Sequence, residues 1–141
     1  LEQAKLGKQK KSNLLGKVVV ITGAGGVIGR ATALKFANEA AEIVAIDLDL
    51  NQAQITAKMC GKNAIPIECD VTSLKQLKKA FRRIVLQFGG IDIIVSNAGS
   101  AYPGMMDSLD EEIFRKSMEI NLFSHHYISQ LSVKIFKYVV K

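Results

Sequence analysis

Long apolar runs are missing from this 141-residue chain. None approaches the ~20 residues that a membrane span needs, so no membrane partner is expected. No signal-peptide pattern opens the chain, whose start is polar and lysine-rich. Cysteine is scarce. Cys60 and Cys69 stand outside any metal-ligand spacing, so no metal site is expected, and two reduced thiols without an export signal point to a cytoplasmic protein. Proline is equally scarce: Pro66 falls in an apolar run and places it near a sheet edge, and Pro103 precedes Gly104 in a loop. The phosphate-binding P-loop is absent. Gly7-Lys8, Gly16-Lys17 and Gly61-Lys62 are followed by Gln, Val and Asn, where that motif needs Ser or Thr. No internal repeat or low-complexity segment occurs. The net charge of +6 is uneven: residues 1–17 carry five lysines and one glutamate, and the rest carries fourteen basic and twelve acidic residues. No aromatic is interleaved with the opening lysines, so that stretch reads as a solvated linker and not a nucleic-acid surface. The first residue is Leu, which reads as a piece cut from a longer polypeptide.

What is present is a globular composition, 48% hydrophobic, long enough for one domain with a real core. The stretch Lys17 to Asp47 organises it. An apolar run, Val18 to Ile21, meets a glycine cluster, Gly23, Gly25, Gly26 and Gly29. A helical pattern follows with Ile28, Ala31, Leu34 and Ala37 on one face, and a second apolar run, Ile43 to Ile46, ends in Asp47. Strand, glycine turn, helix, strand and acid are the order of a dinucleotide-binding βαβ unit. The glycines allow a tight turn and a close backbone approach to a pyrophosphate. The helix starting near Ile28 points free N–H groups and its positive end at the phosphates. Asp47 can accept both hydroxyls of an adenosine ribose and repels a 2′-phosphate, which favours NAD over NADP. Its neighbour Leu48 joins the cofactor-binding set.

Further along, the pattern predicts a helix over 28–40, a strand over 42–47, a short helix over 51–61 and a strand over 64–69. Ser73 can cap the next helix. That helix buries Leu74, Leu77, Phe81, Ile84, Val85 and Phe88 and turns Lys75, Lys78, Lys79, Arg82 and Arg83 to solvent. Gly89-Gly90 stops it, a fourth strand covers 91–96, and helices follow over 110–120 and from Asn121 to about Tyr138. His125 and His126, adjacent on a helix, point in different directions and read as surface histidines. Met105-Met106 reads as a cover for the crevice or as local packing. Alternating strands and helices give an α/β, Rossmann-like, doubly wound parallel sheet of order 3-2-1-4. Residues 1–16 read as a basic linker or tail, and 17–141 as an NAD-binding domain. Gly23, Asp47, Asp70 and Asn97 all fall just past strand ends, on one sheet edge.

At these residues the chain resembles the short-chain dehydrogenase/reductase family, over about residues 14–140. Thr22-Gly23 through Gly29 resembles its cofactor glycine motif and Asp47 its NAD-selecting acid. Asp70-Val71 resembles the pair that holds the adenine. Asn97-Ala98-Gly99 resembles the signature that steadies the central sheet near the ribose. Asn121, in Glu-Ile-Asn-Leu, resembles the active-site asparagine that helps hold a proton-relay water. The resemblance implies NAD as cofactor, a small-molecule alcohol, aldehyde or sugar-derived substrate, and a homo-oligomer in the full-length parent. A narrower likeness joins Leu1-Glu2-Gln3-Ala4-Lys5-Leu6 and Leu15-Gly16-Lys17-Val18 to the junction of bifunctional aldolase/short-chain dehydrogenase proteins.

There are departures. Val27 stands where the ordinary branch has its second-last motif glycine. Read as Gly23-x-x-Gly26-x-x-Gly29, the loop fits the extended branch of sugar-nucleotide epimerases and dehydratases, whereas Asn97-Ala98-Gly99 argues for the ordinary branch, which is the reading kept. Ser96 replaces the usual first asparagine before Asn97. The family's Tyr-x-x-x-Lys pair has no counterpart, so the resemblance implies that the domain over 17–141 is incomplete, truncated after the fourth strand and the helices that follow it. Tyr102 is followed four later by Met106 and Tyr127 by Leu131; Tyr138 and Lys141 are three apart. Tyr127 and Lys134 are two turns apart, about 10 Å. Two readings therefore stand: the cofactor-binding front of an oxidoreductase, inactive alone, or a nucleotide-binding or interaction module without catalysis.

Overall fold

The computed structural model describes residues 14–139. The linker expected over residues 1–16 lies mostly outside them, as do the likeness carried by Leu1 to Leu6 and the last residue of the Tyr138 to Lys141 spacing.

An unbroken apolar run followed by threonine builds the first strand, β1 (Val18–Thr22), buried along its whole length. Strands that carry helices on both faces need such continuous runs. The others are β2 (Glu42–Asp47), β3 (Ala64–Glu68) and β4 (Ile93–Val95). All pairs are parallel, in the order β3-β2-β1-β4. Pro66 sits on edge strand β3, opposite Ala45. It has no N–H to donate, which an edge tolerates.

Among the described residues five α-helices connect and follow the strands: α1 (Val27–Asn38), α2 (Leu50–Cys60), α3 (Leu74–Phe88), α4 (Glu111–Met118) and α5 (Ser124–Val139). Alternation along β1 divides the core. Val18 and Val20 face a cluster with Leu77, Phe81 and Ile84 of α3 and Ile128 of α5. Val19 and Ile21 face Ala33 of α1 and Ala57 of α2. The sheet is thus wound on both sides.

Helix ends follow local chemistry. Asp49, Ser73 and Asp110 each cap a helix by accepting backbone N–H bonds, and Gly89 closes α3 in the left-handed conformation at φ 80°. α1 ends two residues earlier than its pattern, at Asn38, because Ala40 turns left-handed at φ 61°. α3 has the expected polarity: its lysines and arginines are exposed.

The face expected for α1 is corrected. Ile28 is 73% exposed, and Ala31 is exposed, whereas Gly29 and Ala33 are buried. Gly29 lets backbone approach backbone at the glycine turn, and Ala33, with Phe36 and Ala37 farther along, packs on the core. Helix 110–120 and the helix from Asn121 are one continuous rod, joined by a π-helical turn over Glu119–Phe123. The Ser124 hydroxyl donates to Ile120 O at 2.6 Å across that turn.

Lys17 and Asp92 tie the start of β1 to the start of β4. Asp92 accepts from Lys17 Nζ at 2.7 Å and from Val18 N at 2.9 Å. The Lys17 hydrogen bond holds the Asp92 carboxyl below its ordinary range; partial burial opposes the shift and the Val18 N–H adds to it. The stabilisation is therefore complete above the ordinary aspartate pKa of about 3.9 and is lost as pH falls through the lower folded value. Both side chains are partly solvated, so the contribution is at most about 1 kcal/mol. Asp92→Asn should remove this acid dependence: thermal melts followed downward from about pH 6 should converge with wild type at the acid end.

Candidate functional site

The carboxyl ends of β1, β2, β3 and β4 open on one cleft of about 630 Å³. Its first wall is the glycine turn. Gly23 has φ 63°, and a Cβ there would stand 3.0 Å from both Ala98 Cα and Asn97 Nδ2. A Cβ on Gly29 would run into the Gly23 carbonyl. These two glycines let the turn fold back and α1 sit against it. Gly26, with Val27 and Ile28, faces the cleft mouth. Val27 is 88% exposed at the first position of α1. The first-turn N–H groups of the helix have no carbonyl within it to bond, so they point outward at its positive end.

The second wall is Asp47. Its Oδ2 accepts from Gly25 N at 2.8 Å and its Oδ1 from Asp49 N at 3.0 Å. Each oxygen keeps a further lone pair. The carboxylate is fixed in orientation yet still able to accept. Leu48 beside it is exposed and lines the cleft.

The third wall follows β3. Asp70 Oδ1 accepts from the Thr72 N–H at 2.9 Å and the Thr72 hydroxyl at 2.7 Å. Val71 is buried beside it and also lines the cleft. Burial, with Asp70 nearby, pushes the Cys69 thiol up to about 11, so it stays protonated.

The fourth wall follows β4. Asn97 Nδ2 donates to Thr22 O at 3.0 Å and Gly23 O at 3.3 Å, and the N–H groups of Asn97 and Ala98 both donate to Thr22 Oγ1. One side chain thereby joins two strand ends. Asn97→Ala leaves these acceptors short of a donor and should cost about 1–3 kcal/mol, read from urea unfolding.

All eleven residues expected to bind cofactor line this one cleft. Asn121 does not; its neighbour Ile120 does. Asn121 Oδ1 accepts from Ser100 N at 3.1 Å, and its Nδ2 donates to Ser100 O at 2.7 Å and to Ser117 Oγ. It clamps the segment that leaves Gly99. Ser96 is also engaged, 2.6 Å from His125 Nδ1. His125 is half-buried, which corrects its reading as a surface residue, while His126 is exposed and meets Tyr127 edge-on. Met105 and Met106 are exposed and line no part of the cleft. Among the described residues no cluster of His, Cys, Asp and Glu is arranged to hold a metal, and no helix is long and apolar enough to cross a membrane.

Sequence reasoning passed over Arg30, Gln52 and Thr56. Gln52 and Thr56 share one face of α2 at i, i+4, and Arg30 reaches them from more than 20 residues away in the chain, a link that no spacing rule carries.

The family model for short chain dehydrogenase matches residues 17–139. The chain belongs to the short-chain dehydrogenase/reductase family. It is 34% identical to 7alpha-hydroxysteroid dehydrogenase of Escherichia coli K12 over 82% of this chain and 46% of that one. It is 32% identical to 17-beta-hydroxysteroid dehydrogenase 13 of Rattus norvegicus, covering 85% of this chain and 41% of that one. It is 36% identical to galactitol 2-dehydrogenase of Agrobacterium fabrum, covering 77% and 43%. A solved protein from Burkholderia xenovorans, described only by its short-chain dehydrogenase/reductase family, superposes with a TM-score of 0.82 at 32% identity, over 86% of this chain and 52% of that one. The chain thus spans less than half the length of these curated relatives. As a short-chain dehydrogenase sequence it carries the glycine turn at the end of β1, in a four-stranded parallel sheet among the described residues.

Proposed function

We propose that this chain is the cofactor-binding portion of an NAD-dependent oxidoreductase that moves hydride between nicotinamide and an alcohol, aldehyde or sugar-derived substrate. The observation that carries the reading is the Asp47 carboxylate. Two backbone N–H groups orient it across from the positive end of α1, and each oxygen has a lone pair to spare. Two acceptors in fixed places suit a ribose diol, and their charge opposes a 2′-phosphate.

The other residues fit the same ligand. A Cβ on Gly26 would meet only Gly23 O, at 3.4 Å, so the space above the helix end is open. The N–H groups of Val27, Ile28 and Gly29 would bind the pyrophosphate there. Asp70, with Oδ1 held by Thr72, would offer Oδ2 to the adenine amine, beside the Val71 backbone. Leu48 would cover the adenine from the solvent side. Asn97, Ala98 and Gly99 would follow the second ribose. Asn121, by holding Ser100, would position the segment beside the reacting end and support the proton relay. A bound nicotinamide supplies the hydride acceptor or donor.

The printed names of the relatives, hydroxysteroid and galactitol dehydrogenases, support alcohol oxidation or carbonyl reduction as the reaction class. A tyrosine–lysine pair would come from a longer parent, whose remaining sheet would pair with the open side of β4. The exposed Phe114 and Phe123 would be covered in its oligomer.

NADH fluorescence tests the reading. NADH added to the chain should show a saturable emission change that NAD displaces and NADP displaces poorly. Turnover of an alcohol should require a longer chain continuing past Lys141. Equal displacement by NADP overturns the Asp47 assignment, and turnover by the present chain overturns the division of labour.

A further inference from the structure

Arg30 lies on α1, one residue past the glycine turn. Its Nη2 donates to Gly25 O and to Gln52 Oε1, both at 2.8 Å, and its Nε donates to Thr56 Oγ1 at 3.0 Å. The fully buried Thr56 passes the link on, its hydroxyl donating to Ala24 O at 2.8 Å. Among the described residues no carboxylate lies within ion-pair distance of the guanidinium. Its partners are neutral, and they come from the glycine turn and from α2.

Gly25 is the shared point. Its carbonyl accepts from Arg30, and its N–H donates to Asp47 Oδ2. The fit is tight: a Cβ on Gly25 would collide with Gln52 Cβ and stand 2.9 Å from Asp47 Oδ2. The peptide unit between Ala24 and Gly25 is held at both ends, its carbonyl by the Thr56 hydroxyl and its N–H by Asp47 Oδ2, while Arg30 bonds Thr56 and holds the next carbonyl, Gly25 O, so the arginine braces the N–H that aims Asp47. Gln52 lines the cleft itself.

We infer that Arg30, acting through Gly25 and Gln52, is a positioning residue for cofactor choice: it fixes the orientation in which Asp47 meets the ribose. This inference rests on the reading of Asp47 as the ribose acceptor. A rigid carboxylate rejects a 2′-phosphate because it cannot swing away. A loosened one can, and discrimination falls. Geometry and charge predict opposite signs here. If Arg30 acted through its charge, removing it would weaken binding of the 2′-phosphate and sharpen the preference.

The test uses the full chain with two probes that need no nicotinamide site, ADP-ribose and 2′-phospho-ADP-ribose, titrated by calorimetry. Wild type should prefer ADP-ribose. Arg30→Met should narrow the ratio of affinities by about tenfold or more, as losing three part-buried hydrogen bonds implies. Arg30→Lys should narrow it similarly, since one ammonium cannot span Gly25, Gln52 and Thr56 with the same geometry. Gln52→Met, on the cleft side and less disruptive, should narrow it by about threefold and decides the matter should Arg30→Met fail to fold. An unchanged ratio with equal loss of both probes means a structural role only and overturns the inference. A widened ratio, or rescue by Arg30→Lys, overturns it in favour of charge. Wild type that binds neither probe, or prefers the 2′-phosphate, overturns the Asp47 reading and this inference with it.

Discussion

Gly29→Ala is expected to lower ADP-ribose affinity by more than about 100-fold and to destabilise the chain by about 1–3 kcal/mol. The added methyl meets backbone on every side: the Gly23 carbonyl, and Ala24 Cα at 2.9 Å. No flexible side chain can yield, so α1 must move away from the turn. That movement takes the first-turn N–H groups from the pyrophosphate. Charge-assisted bonds of that kind contribute about 1.5–3 kcal/mol each, and losing two exceeds the stated factor. Gly26→Ala is the control. Its methyl meets only one atom, at 3.4 Å, so stability should hold while the methyl enters the cleft and binding weakens. Thermal melting and calorimetric titration read both quantities. A Gly29→Ala protein that melts and binds as wild type contradicts the account of the turn.

Asp47→Ala is expected to lower ADP-ribose affinity by about 30-fold or more while weakening the 2′-phosphate form far less, so that the preference between them collapses or reverses. Two acceptors for ribose hydroxyls disappear, and with them the charge that opposes phosphate. Part of the loss comes from the protein itself: Gly25 N and Asp49 N lose their acceptors, Asp47 Oδ2 and Oδ1. Asp47→Asn should not rescue binding. One of its two ends is an amide NH₂, which would face a backbone N–H and leave both donors in conflict. An Asp47→Asn protein with wild-type affinity and preference would contradict the assignment.

The sheet was legible because its strands are unbroken apolar runs and its turns carry glycine. Order 3-2-1-4 then follows from right-handed crossovers, and the rim that gathers Gly23, Asp47, Asp70 and Asn97 follows from parallel strands all ending on one side. The helical period of apolar residues does not tell which face of α1 is buried. Ile28 and Ala31 of α1 are exposed because the helix turns Gly29 and Ala33 inward, with Phe36 and Ala37 packed beyond them, and the close approach to the turn at position 29 demands glycine. The π-helical turn was hidden for another reason. Asn121 reads as a helix start, and only the folded chain brings Ser100 to its side chain. Arg30 gave no signal at all. A helix-surface arginine looks solvated until Gln52 and Thr56 are seen to surround it.

The most direct measurement is calorimetric titration of ADP-ribose into the folded chain, with the 2′-phosphorylated form run beside it. One equivalent of ADP-ribose should bind, and the 2′-phosphorylated form should bind more weakly. A folded chain that takes up no ADP-ribose would contradict the claim that these four strand ends build the adenosine half of a dinucleotide site.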